Sequence, residues 1–148
     1  MNTVDVPAHM SDKKIIHKVA AMVFEDDAFL MVLKKGKDVW TNLGGKPEAG
    51  ETELDALRRE IREELGCDSL VVKKLGDFEA PAVHDDALVR LSVYLTELHG
   101  EPKISDPELE AFTFVSESYK EEGIKLPPSI EDHVIPYCIK AGLLKWKV

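Results

Sequence analysis

Three glutamates, Glu60, Glu63 and Glu64, stand at i, i+3, i+4 within the stretch GGKPEAGETELDALRREIREELGC, residues 44–67. On a helix that spacing puts all three on one face, where like charges oppose helix formation by about 0.2–0.5 kcal/mol per pair. Hard divalent cations prefer carboxylate oxygens held in fixed geometry, so the face carries the donors of a metal site. The plainer reading is a solvated charged face with arginine partners on both flanks, which is what charge runs usually are. Two neighbours favour the metal. Gly44-Gly45 reads as a tight turn that can bring backbone carbonyl or N–H groups close. Ala56, one turn before Glu60, leaves the acidic face unshielded.

The element that must hold these groups is a helix over residues 51–65, built from good helix formers. Leu54, Leu57, Ile61 and Leu65 fall within an arc of about 80° at helical spacing and predict its core-facing stripe. Asp55 precedes Arg58 and Arg59 by one turn, a favourable pairing distance.

Around that helix the chain alternates strand and turn signals. IIHKVAAMVF and AFLMVLKK read as strands separated by an EDD turn, and GKDVWTNLGG as loop, short strand and turn. SLVVKKLGDFEA and ALVRLSVYLTELHG follow as two strands joined by PAVHDD, and LEAFTFV as a further short strand after the loop EPKISDPE. SIEDHVIPYCIKAGLL predicts a C-terminal helix, with Ser129 as N-cap, Asp132 three residues on, and a bend or shift at Pro136. The expected architecture is α/β: a central mixed sheet, one central helix and one C-terminal helix.

The 148 residues suit one domain over 1–148, with 1–12 as a flexible N-terminal segment. A net charge of −9 disfavours nucleic acid and anionic membrane as partners. Cys67 and Cys138 form no CxxC pair, so neither a disulfide framework nor a thiolate zinc site is expected. No apolar run is long enough to be a signal core or membrane span, and a cytoplasmic location is expected.

The acidic stretch resembles the Nudix box, G-x5-E-x7-R-E-U-x-E-E-x-G-U with U a bulky aliphatic. Gly45, Glu51, Arg59, Glu60, Ile61, Glu63, Glu64 and Gly66 fill its positions, and Cys67 replaces the final aliphatic, a packing position. A looser likeness to MutT-type members spans most of the chain. The resemblance implies a Nudix-type α/β/α sandwich and hydrolysis of a nucleoside diphosphate linked to another moiety. By position, Glu60, Glu63 and Glu64 would bind Mg²⁺ or Mn²⁺, with the Gly44 carbonyl completing a site. Arg59 and Glu51 would pair to hold loop and helix in register. Glu60 is the first choice of general base. Glu108 and Glu110 are candidates for a further loop acid, Glu110 slightly favoured and both equally readable as surface acids.

On the substrate side, Trp40, Phe78, Tyr94 and Phe112 could stack a base, although strand aromatics are more often core. Lys46 could reach a phosphate or face solvent, and His84 beside Asp85 and Asp86 could touch ligand or sit in a solvated turn. The expected partner is a small-molecule nucleotide, with a nucleoside triphosphate leading. Pro81 lies 14 residues after the box, where ADP-ribose-cleaving members tend to carry a proline, so ADP-ribose or a nucleotide sugar is the runner-up. Ile130 stands where MutT-type members carry an asparagine that reads oxidised guanine, and Leu43 where a proline is common. A sensing or protein-binding module of the family usually lacks box acids, and none is missing here. Apolar strand edges and the resemblance would permit a homodimer.

Overall fold

The computed structural model describes residues 14–83 and 85–147. The expected N-terminal segment and His84 therefore lie outside the described residues.

β1 (Lys14–Met22) is the centre of the sheet. β2 (Phe24–Glu25) and β3 (Ala28–Lys34) form a hairpin through Asp26 and Asp27, both at positive φ, as the EDD turn requires. β4 (Thr41–Gly45) pairs antiparallel with both β3 and β1. After helix α1 (Glu53–Leu65), β5 (Asp68–Pro81) and β6 (Ala87–His99) form a long antiparallel pair, and β6 lies parallel to β1. The strand order is β2-β3-β4-β1-β6-β5, with β7 (Leu109–Val115) paired along β3. The sheet is mixed, as the sequence suggests.

Alternation along β1 divides the core in two. Val19, Ala21 and Val23 join Leu30, Val32 and Leu43 beneath the α1 residues Ala56, Leu57, Ile61 and Leu65. Ala20 and Met22 face the other way, onto a cluster with Phe29, Met31, Ile130, Val134 and Cys138. A strand buried on both faces needs a continuous apolar run, and VAAMV supplies it.

Three expectations are corrected. Gly44-Gly45 is strand, not a tight turn: Val19 pairs with Gly45 and Ala20 with Gly44. Ala56 is fully buried and lies under the helix rather than on its acidic face, because its small side chain lets the helix approach the sheet. Ser129 is not an N-cap. It is buried, and Pro128 occupies the cap position without a side-chain hydrogen bond. The C-terminal helix opens as a π-helical segment (Ser129–Val134) and continues as α2 (Ile135–Lys140), with Pro136 in the first turn after the switch from π to α.

Candidate active site

α1 is fixed at both ends. Thr52 Oγ1 accepts the Asp55 N–H at 3.1 Å, and Gly66 closes the helix in the left-handed conformation, donating its N–H to the Arg62 carbonyl. Glu53 ties the first turn to the sheet. Its carboxylate accepts hydrogen bonds from Ser92 (2.9 Å) and Tyr94 (2.5 Å), and meets His17 Nε2 at 2.9 Å and Lys74 Nζ at 3.5 Å. Burial raises its pKa, but the bonds from Tyr94 and Ser92 outweigh that and the net shift is downward.

Leu57, Ile61 and Leu65 point into the core, which turns Glu60, Glu63 and Glu64 toward a cleft of about 440 Å³. All three line it, with Gly44, Gly45 and Lys46 from the end of β4 and Asp106 and Glu108 from the loop before β7. Glu64 is only 5% exposed and accepts the Gly44 N–H at 3.0 Å. Burial raises its pKa to about 8, the Gly44 bond offsetting part of the rise. Burial also raises that of Glu60. Gly45 leaves room for the Glu60 carboxylate, since a Cβ there would stand 2.6–2.8 Å from its atoms.

Arg59 organises the rest. Its Nε and Nη2 donate to Glu51 at 2.7 and 2.9 Å, Nη1 donates to Glu60 at 2.8 Å and Glu63 at 3.2 Å, and Nη2 also reaches the Lys46 carbonyl at 3.2 Å. The two-point hydrogen bond holds Glu51 well below the usual carboxylate range, at about 2, and raises Arg59 further. Part of the glutamate repulsion is thus relieved within the chain. Asp55 takes no part: Arg59 turns back toward Glu51 instead. Among the described residues no three acidic, histidine or cysteine side chains already converge on one point. The donor set nevertheless suits a hard cation: three carboxylates on one wall, one of them desolvated, over a glycine backbone that leaves them space.

The cleft opens into a second, more apolar chamber lined by Val39, Trp40, Pro81, Val89 and Pro127. Ile16, Lys18, Lys34, Thr41, Asn42, Asp85 and Leu91 border both spaces. Trp40 therefore lies where a flat ring could enter. The other aromatics do not. Tyr94 holds Glu53, Phe112 packs under α1, and Phe78 packs on the opposite core, edge-on to Tyr137 at 5.6 Å. Glu110 does not line the cleft. Leu109 is buried and Glu110, next along the strand, points the other way into solvent, leaving Glu108 as the nearby loop acid. Sequence reading passed over Lys18, Lys34 and Asp106. Lys18 had a visible signal: a lone charge at an inward-facing position of an apolar strand.

This box, sheet and cleft have relatives. A family model, the NUDIX domain, matches residues 16–126. The chain belongs to the Nudix family. An oxidized purine nucleoside triphosphate hydrolase of Danio rerio is 30% identical over 89 residues, 57% of this chain and 57% of its own length. A CTP pyrophosphohydrolase of Escherichia coli K12 is 37% identical over 62 residues, 39% of this chain and 46% of its own. The chain thus spans about half the length of the curated relatives it matches. The solution structure of MutT, a Nudix hydrolase described as a DNA mismatch repair protein, from Staphylococcus aureus superposes with a TM-score of 0.58 at 30% identity. It covers 86% of this chain and 98% of that one. The α/β fold with a mixed sheet is therefore the Nudix fold. No helix among the described residues is long and apolar enough to cross a membrane.

Proposed function

We propose that this Nudix protein hydrolyses the diphosphate linkage of a nucleoside triphosphate with the help of Mg²⁺ or Mn²⁺. The observation that carries the reading is the shared wall of Glu60, Glu63 and Glu64, continuous with an apolar chamber containing Trp40. Charged phosphates fit the first space and a base fits the second. The two curated relatives both act, by name, on nucleoside triphosphates.

Glu60, Glu63 and Glu64 would hold the cation, with the Gly44 carbonyl beside them. When bound, it would neutralise phosphate oxygens and favour ionisation of water. Arg59 and Glu51 keep the glycine backbone and the helix in register, so the carboxylates stay aligned on one wall. Lys46 faces the same cleft and can orient a phosphate oxygen. Glu60, or Glu108 across the cleft, accepts a proton from the attacking water at a carboxylate oxygen. The new P–O bond forms as the bridging P–O bond breaks, and the leaving phosphate takes a proton from solvent.

A second reading, ADP-ribose or a nucleotide sugar, is favoured by Pro81, which lies on the wall of the apolar chamber. The test is a substrate panel with each metal: unmodified and oxidised nucleoside triphosphates, ADP-ribose, nucleotide sugars and dinucleoside polyphosphates, with Glu63→Gln alongside. Turnover of a triphosphate that Glu63→Gln abolishes is expected. Turnover of ADP-ribose or a sugar nucleotide alone moves the assignment to the second reading. Binding without turnover makes the protein a nucleotide-sensing module.

A further inference from the structure

Lys18 stands on β1 in line with Ile16, Ala20 and Met22, all of them buried. It is half-buried itself and borders both the acidic cleft and the apolar chamber, as does Lys34 at the end of β3. The Lys18 ammonium makes no ion pair or hydrogen bond with a described residue, although its backbone is paired in the sheet opposite Leu91. Burial, then the neighbouring Lys34 and Lys46, push its pKa below the ordinary lysine value, with Asp85 and Glu64 pulling it back. A desolvated cation crowded by two more ammonium groups is an unfavourable arrangement in the free protein. It is more unexpected in a chain with 28 acidic and 19 basic residues, which has ample carboxylate to spare. An anion entering between the two spaces would relieve it.

We infer that Lys18, with Lys34, grips the phosphate that remains attached to the nucleoside, and that Lys18 is the residue that makes a charged group at this junction a condition of binding. The inference rests on the nucleotide reading above. If the ring occupies the apolar chamber and the scissile linkage lies along the acidic wall, the nucleoside-proximal phosphate must lie between them, because it joins the two. Lys18 and Lys34 border that junction from two different strands. Unlike the box acids, neither needs a cation to bind phosphate. The pair therefore selects nucleotides over nucleosides before any metal arrives.

The test is metal-free calorimetry in a chelator. AMP, GMP, CMP and UMP, and the four matching nucleosides, are titrated into wild type, Lys18→Met, Lys18→Arg and Lys34→Met. At least one monophosphate is expected to bind wild type more tightly than its nucleoside, with an affinity that falls as salt rises. Lys18→Met should weaken that monophosphate by about tenfold or more, the scale of a lost charge-assisted contact, and leave the nucleoside unchanged. Lys18→Arg should recover most of the loss, and Lys34→Met should reproduce it in part. Methionine keeps the apolar stem and removes the unpaired charge, so the variant should melt no lower than wild type. If it does not fold, Lys18→Gln takes its place.

The inference is overturned if no monophosphate outbinds its nucleoside, or if Lys18→Met leaves monophosphate binding intact. It is equally overturned if monophosphate and nucleoside weaken together, which would make Lys18 a reader of the base. Because no metal and no turnover are involved, this outcome is separate from that of the substrate panel. Lys18-dependent monophosphate binding without hydrolysis sinks the proposed activity alone, and hydrolysis without that dependence sinks the inference alone.

Discussion

Gly44 and Gly45 are adjacent in one strand, yet alanine at each should do opposite things. At Gly44 the φ of +139° is a conformation L residues rarely adopt, and a Cβ would stand 2.1 Å from the Val19 carbonyl oxygen. That oxygen is backbone in the middle of the sheet and cannot step aside. Strain plus strand displacement should cost about 2–4 kcal/mol, lowering the melting temperature by roughly 5–15 °C for a chain of this size. At Gly45 the three nearest neighbours of a Cβ are atoms of the Glu60 carboxyl group, at 2.6–2.8 Å. Restoring ordinary contact at 3.4 Å moves that carboxylate by about 0.6–0.8 Å. The side chain is flexible enough to move, and alanine restricts the unfolded chain, so Gly45→Ala should change stability by no more than about 1 kcal/mol. Displacing a cation ligand by most of an ångström should cut kcat by about 10- to 100-fold. Thermal unfolding and steady-state kinetics on the two variants decide it. A Gly45→Ala enzyme with wild-type kcat would refute the claim that this glycine exists to seat Glu60. A Gly44→Ala protein as stable as wild type would refute the backbone clash.

Other outcomes follow from the same geometry. Arg59→Lys keeps the charge but loses the two-point grip on Glu51, and should lower kcat/KM by about tenfold or more while melting within a few degrees of wild type. Ile61→Ala removes a fully buried side chain beneath the acidic face and should cost about 2–5 kcal/mol, read by denaturant unfolding. Glu53 has a folded pKa below its unfolded value, so its contribution is present above the unfolded pKa of about 4.5 and is lost as pH falls through the folded one. Glu53→Gln should therefore flatten the acid limb of the stability profile below about pH 4.5 and leave the slope near neutrality alone.

Legibility in the sequence followed the range of the interactions involved. The α1 stripe was readable because Leu57, Ile61 and Leu65 obey one local period, and the five longer strands because their apolar runs are short and bounded by turn residues. The glycine pair misled because a strand position where a neighbouring backbone or carboxylate comes close also demands glycine, and sequence alone does not separate that from a turn. Ala56 misled for a related reason: a small side chain can mean an open face or a tight contact, and only the sheet beneath decides. In a continuous strand Glu108 and Glu110 would share one face; they part because Glu108 belongs to the loop and Glu110 to β7, and strand ends are poorly marked in sequence. Trp40 and Pro81 were singled out one at a time, but the apolar chamber they share was not readable, because Trp40, Pro81, Val89 and Pro127 meet only through tertiary pairing.

The place of β1 has a consequence for how the protein is made. Its parallel partner is β6, and Val19 pairs with Ser92, 73 residues later in the chain. At roughly 5–20 residues per second, that partner is synthesised about 4–15 s after β1. β4 and α1 can cover one edge and one face sooner, but the other edge waits for β6 and the other face for residues 130–138. A strand that is apolar on both sides and open at one edge is a template for the wrong neighbour during that interval. Yield in the cell should therefore depend on translation rate and chaperone supply more than the stability of the finished fold would suggest.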